Sequence, residues 1–202
     1  RAINRQLSCF FDNVIMSDTA RLFIAVKIAP SRPLRKIVAR LGMLGRIVNP
    51  LDADNLHLTL KFLGETEFAL TPQISQCVEA AAAEHESFSM QLVGLGAFPH
   101  VRRPSVVWVG LQGAEPLVEI ASELERLLQP LGFEQERRAF HPHVTVARIR
   151  SKPPRELATV LETEQSTEFG SADVTSVELY QSELRSAGPR YTVLSKVEFA
   201  GG

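Results

Sequence analysis

This 202-residue sequence predicts an α+β fold. Strand-like and helix-like segments alternate irregularly, and adjacent strand-like runs follow one another without an intervening helix, which argues against a strictly parallel α/β sheet. A short strand pattern also recurs. "HLTL" at 57–60 and "HVTV" at 143–146 share the form His-x-Thr-x with apolar x, the second His falling 86 residues after the first (143 − 57). The repeat predicts two divergent halves, each offering one motif strand.

"RLFIAVKI" at 21–28 is rich in β-formers and ends at Pro30, so it reads as a buried strand. In "SRPLRKIVARLGMLG", Ser31 serves as helix cap and Pro33 sits in the first turn. Leu34, Ile37, Val38 and Leu41 recur at helical spacing until Gly42 or Gly45 stops the run. "NLHLTLKFLGE" at 55–65 is a strand closed by Gly64. "TPQISQCVEAAAAEHE" at 71–86 is a helix with Thr71 as cap and Pro72 at its first position. Two strands follow, "SFSMQLVGLGAF" and "SVVWVGL", joined across "PHVRRP". A helix over roughly 115–129, the strand "HVTVARI" and the helix "PPRELATVLET" come next, and the strands "DVTSVELYQSEL" and "RYTVLSKVEF" close the chain around "RSAGP".

The composition is that of an ordinary globular protein, with 45% hydrophobic and 22% charged residues. A net charge of -1 excludes gripping long nucleic acid by bulk electrostatics, while leaving a local basic cleft open. Cys9 and Cys77 form neither a CxxC pair nor a disulfide framework, which suits a cytoplasmic setting. No apolar run reaches the roughly 20 residues a membrane span needs. Residues 1–18 read as a disordered upstream extension adding little to the fold, with Met16 as a natural start, and 19–202 as one domain.

The motif spacing carries the chemistry. In a strand, residues two apart share a face, so each motif presents His and Thr together and turns its apolar residues the other way. Two imidazoles with ordinary pKa values of about 6.5 suit chemistry that removes one proton and delivers another near neutrality. A neutral ring takes a proton from attacking water while an imidazolium protonates the leaving oxygen. The hydroxyls of Thr59 and Thr145 can donate to a phosphoryl oxygen between the rings. That plan cleaves a phosphoester, with no metal and no cofactor required.

"RLFIAV", "NLHLTLKFLGE", "FHPHVTVAR" and the late "GPRY" resemble the 2H phosphoesterases, in particular the RNA 2′,3′-cyclic phosphodiesterases historically called 2′-5′ RNA ligases. The resemblance runs from about residue 20 to 198. It implies a bilobal α+β fold of two pseudo-symmetric halves, with antiparallel sheets lining a central cleft and helices outside. It implies hydrolysis of a 2′,3′-cyclic phosphate to a 2′-phosphate, with His57 as proton donor to the leaving 3′ oxygen and His143 as proton acceptor from water. The residues alone leave those two roles interchangeable. Two departures stand out: valine in "HVTV" where the family often has leucine, and no tryptophan in "IVNPLDAD".

Other side chains are candidates for substrate binding. Lys61 is in phase with His57 and Thr59 in a regular strand and could offer charge to the phosphate. Arg148 is out of phase with His143 and Thr145 and reaches their face only if a bulge re-aims it. Phe23 is a candidate stacking platform for a base. Arg103, with Arg102, and Arg190 could line the cleft for an RNA backbone. A zinc site from His57, His141 and His143 is disfavoured, because Pro142 constrains the backbone and no acidic or cysteine ligand has suitable spacing. Expected partners are RNA ends or nucleoside 2′,3′-cyclic phosphates, acted on by a monomer without membrane or obligate protein partner. Two alternatives remain: a phosphodiesterase for another 2′,5′-linked or cyclic nucleotide, and a nucleotide- or RNA-binding module without turnover.

Overall fold

The computed structural model describes residues 19–185 and 188–200, so the expected extension, residues 1–18, lies outside the described part. The first half runs β1 (Thr19–Lys27), α1 (Arg32–Gly42), β2 (Val48–Pro50), β3 (His57–Glu67), α2 (Thr71–Ala82) and β4 (Phe88–Phe98). The second runs β5 (Val106–Gln112), α3 (Glu115–Leu128), β6 (His143–Ile149), α4 (Arg155–Thr163), β7 (Glu168–Val174), β8 (Ser176–Arg185) and β9 (Gly188–Glu198).

Local chemistry accounts for most of these boundaries. Ser31 caps α1 by accepting from the Leu34 N–H at 3.1 Å, and Leu34, Ile37, Val38 and Leu41 bury one stripe. On α3, Leu117, Ile120, Ala121, Leu124 and Leu128 do the same. Each such fully buried aliphatic side chain contributes about 1.5–3 kcal/mol relative to exposure. Thr71 is not the cap of α2: a 3₁₀ turn, Phe68–Leu70, runs straight into the helix, so Thr71 is itself helical and its hydroxyl is buried without a partner among the described residues.

All strand pairs in the two sheets are antiparallel. The first sheet has the order β3-β1-β8-β9 and the second β2-β6-β5-β4-β7. Each motif strand therefore lies beside a strand of its own half, and that strand is flanked by one from the other half: β8 beside β1, and β4 beside β5. Helices α2 and α3 cover the first sheet, α1 and α4 the second, and one continuous apolar core joins both sheets to their helices. A separate small cluster of Phe23, Ala25 and Tyr180, with Tyr191 against it, lies beneath His57.

The stretch 173–184, expected as one strand, is two. At Thr175 the chain leaves the second sheet, where β7 pairs with β4, and enters the first, where β8 pairs with β1. Neither glycine nor proline marks the crossing, so no local signal announced it. Among the described residues no helix is long and apolar enough to cross a membrane.

Candidate active site

Both motif histidines are fixed by the same contact. His57 Nδ1 lies 2.8 Å from the Asn55 carbonyl and His143 Nδ1 lies 2.7 Å from the His141 carbonyl, each two residues upstream. A carbonyl only accepts, so Nδ1 carries the hydrogen in both rings, and Nε2 is the nitrogen left to exchange a proton. Aromatic rings back each imidazole. Phe23 lies 5.0 Å and Tyr191 5.1 Å from His57, centroid to centroid. Phe98 lies 5.0 Å edge-on from His143, with Trp108 at 6.3 Å. Trp108 lies flat across Gly96, where an added Cβ would come within 2.1 Å of the indole. Only glycine admits that ring there.

The motif strands share an irregularity at the same place. In β3, Thr59 pairs with Ala25 but Lys61 with Ile24, leaving Leu60 as an extra residue. In β6, Thr145 pairs with Trp108 but Ala147 with Val107, leaving Val146 extra. A bulge shifts the side-chain alternation by one. The fifth residue after each histidine thereby returns to the histidine face: Phe62 opposite Phe23, and Arg148 opposite Val106. Arg148 thus reaches the cleft through a bulge. Lys61 falls on the opposite strand face, buried at 4% exposure at the margin of the cleft. Its ammonium donates to both oxygens of Glu125, at 2.8 Å each, and to the Glu134 carbonyl at 2.7 Å. Its three donors are thus engaged by Glu125 and Glu134, at the edge of the cleft.

The two motifs meet in one cavity of about 1330 Å³, lined by His57, Thr59, His143, Thr145 and Arg148. Cα atoms of β3 and β6 approach within 8 Å across it without pairing into one sheet. Arg21, Arg126 and Arg138 add positive charge, and Phe62, Leu184 and Pro189 an apolar rim. Burial holds both imidazoles below the ordinary histidine value, against the opposing pull of their backbone hydrogen bonds. The Arg148 charge adds to this at His57, and His141 does so at His143. Burial pushes the phenols of Tyr180 and Tyr191 upward, with the Glu178 carboxylate contributing at Tyr180. The tyrosines therefore stay neutral where the histidines titrate.

Three further expectations are corrected by position. Phe23 borders the cavity but is 3% exposed and stacked on Tyr180 at 5.0 Å and 10°, so it supports His57 from below and leaves a base little open ring. The open ring is Phe62, 60% exposed. Arg103 is exposed in the β4 to β5 connection, and Arg190 is turned from the cavity by strand alternation, beside Glu183; neither lines it. The sequence reading missed Arg21, although it sits two residues from Phe23 on the same strand face. It also missed Phe62 and Arg138, for which no local pattern exists. No cluster of three or more His, Cys, Asp or Glu side chains among the described residues could hold a metal ion.

Known proteins resemble this chain in sequence and fold. The family model of the 2′-5′ RNA ligase superfamily matches residues 46–185, which include both motif strands. The RNA 2′,3′-cyclic phosphodiesterase of Aeropyrum pernix is 40% identical over 169 residues, covering 83% of this chain and 93% of that protein. The structure of TT0787 of Thermus thermophilus superimposes with a TM-score of 0.72 at 29% identity, covering 90% of this chain and 98% of the other. That of E. coli LigT complexed with 3′-AMP gives 0.68 at 28% identity, covering 90% and 99%. Paired motifs, two-sheet architecture and these matches agree: the chain belongs to the 2′-5′ RNA ligase superfamily of 2H phosphoesterases.

Proposed function

We propose that this enzyme hydrolyses RNA 2′,3′-cyclic phosphate ends to 2′-phosphates by acid–base catalysis between His57 and His143, with no metal ion required. The observation that carries the reading is the matched pair of tethers. Both rings hold their hydrogen on Nδ1 and line one cavity, which leaves Nε2 of either to exchange a proton with a phosphoester between them.

In the reaction, His143 Nε2 takes a proton from water as its oxygen bonds to phosphorus. His57, protonated on Nε2, gives its proton to O3′ as the P–O3′ bond breaks. The phosphate stays on O2′, and the donor and acceptor have exchanged protonation states. Thr59 and Thr145 donate to the phosphoryl oxygens, and Arg148 balances the charge that builds on them. The donor and acceptor assignment follows the family resemblance, since the two tethers are equivalent. Phe62, carried onto the histidine face by its bulge, offers an open ring for the terminal base. A 5′-hydroxyl in the place of water would run the same proton transfers toward a 2′-5′ linkage. The substrate class is also the one named for the Aeropyrum pernix relative.

The test is turnover of a nucleoside 2′,3′-cyclic phosphate in excess EDTA, with the product isomer identified. The expected product is the 2′-phosphate. His57→Ala and His143→Ala should each lose roughly 10²–10⁴-fold in rate, the usual worth of one general acid or base, while still binding nucleotide. Release of a 3′-phosphate, or full activity in either variant, would overturn the mechanism; binding without turnover would make the chain a binding module.

A further inference from the structure

Lys61 belongs to the first motif strand, yet every partner of its ammonium lies on the approach to the second motif. The segment 132–142 leaves α3 through Gly132, at a φ of 92°, and enters β6 at His143. Two of its backbone groups are tied to one ion pair. Glu125 accepts from Lys61 on both oxygens, and Oε2 also accepts from the Glu136 N–H at 3.1 Å. Lys61 reaches past Glu125 to the Glu134 carbonyl at 2.7 Å. Two backbone groups of the segment are thus fastened to a partly buried ion pair that spans β3 and α3.

The segment is a wall of the active cleft. Gln135, Glu136, Arg138, Phe140 and His141 line the cavity, and the His141 carbonyl orients the His143 ring. A continuous chain therefore leads from the strand of His57, through Lys61 and Glu125, along the segment to His143. A buried ion pair is weak evidence for stability, because desolvation offsets much of its Coulomb gain. Its better-attested use is to specify one arrangement over others. Here the arrangement specified is the one that sets the second histidine against the first.

We propose that Lys61 and Glu125 are positioning residues, a clamp by which the first motif strand fixes the 132–142 wall and, through it, the His143 ring. Neither touches the reacting atoms. The kinetic part rests on the phosphodiesterase reading above; the conformational part does not.

The test uses the full chain in two variants of the pair, with Lys61→Met alone as a kinetic comparison. Glu125→Gln removes the negative charge opposite Lys61 and leaves one acceptor oxygen where Lys61 and the Glu136 N–H together use two. Lys61→Met with Glu125→Leu replaces the whole pair by apolar side chains of similar size, a change that often preserves folding. Hydrogen exchange at the amides of 134–141 should speed up in both, with strands β1 and β5 unchanged. With a nucleoside 2′,3′-cyclic phosphate, kcat of the double variant should fall about tenfold or more, as expected for a misplaced catalytic group. Lys61→Met alone, which leaves the Glu125 carboxylate without its cation, should fall further, and adding Glu125→Leu to it should recover part of the rate. Unchanged exchange in the segment in both variants overturns the clamp, whatever the substrate. Faster exchange with kcat within twofold of the parent overturns the positioning role and leaves a structural tie. An inactive parent with faster exchange in the variants would sink the substrate reading and keep the clamp.

Discussion

Phe62→Ala separates binding of the base from the chemistry. The ring is 60% exposed, with its centroid 6.2 Å from that of Phe23 at a tilt of 42°, so removing it opens no cavity in the core. Exposed truncations of this kind usually change stability by less than about 0.5 kcal/mol. A base stacked on an aromatic ring is worth about 1–3 kcal/mol by alanine substitution, which converts to about 5- to 150-fold in affinity. Only one face of Phe62 can be covered, because the other leans toward Phe23, so a loss of about tenfold is expected. The assay is steady-state hydrolysis of a nucleoside 2′,3′-cyclic phosphate, beside thermal unfolding of the same samples. KM should rise about tenfold with kcat nearly unchanged, and Phe62→Trp should restore it. Phe23→Ala makes the contrast. That ring is 3% exposed, so its loss should destabilise the fold by about 3–5 kcal/mol and lower kcat by releasing His57. An unchanged KM in Phe62→Ala, with the fold intact, would refute base stacking at this position.

Two other perturbations bear on the histidines. Because burial holds both imidazoles below about 6.5, the free enzyme carries one protonated and one neutral ring only on the acid side of that value. The pH profile of kcat/KM should therefore be a bell centred below about 6.5 and falling above it, while the kcat profile moves to higher pH as the bound anion raises both values; a kcat/KM optimum above pH 8 would contradict this. Gly96→Ala should displace the Trp108 indole that sits across it, costing about 1–3 kcal/mol, or about 2–12 °C in Tm for a chain of this size. A melting temperature equal to the parent's would show that the indole has room to shift.

The period-two rule made the histidine and threonine faces legible, since it needs only a regular strand over three residues. It failed one step later in both halves. The extra residue at Leu60 and at Val146 inverts the alternation, turning Lys61 to the opposite strand face and bringing Phe62 and Arg148 to the cleft. A bulge leaves little trace in residue type when it contains no glycine, so "LKF" and "VAR" read as continuous strand. Helix α1 was legible because its cap, its proline and its apolar stripe agree. The cap at Thr71 was misplaced because the preceding 3₁₀ turn has no composition of its own. The change of sheet at Thr175 and the wall from 132 to 142 depend on distant partners. Of the arginines, Arg21 could have been found by extending the Phe23 face two residues back. Arg138 follows from no such rule.

Trp108 is the only tryptophan in the sequence, and its ring centroid lies 5.5 Å from that of His141 and 6.3 Å from that of His143. A protonated imidazole at such range quenches indole emission. The protein therefore carries its own optical indicator beside one of its two working rings: emission dims as that corner of the cleft gains a proton and brightens as it loses one. Intrinsic fluorescence can follow the charge state of one half of the site, unlabelled and in real time, while the other half has no such reporter.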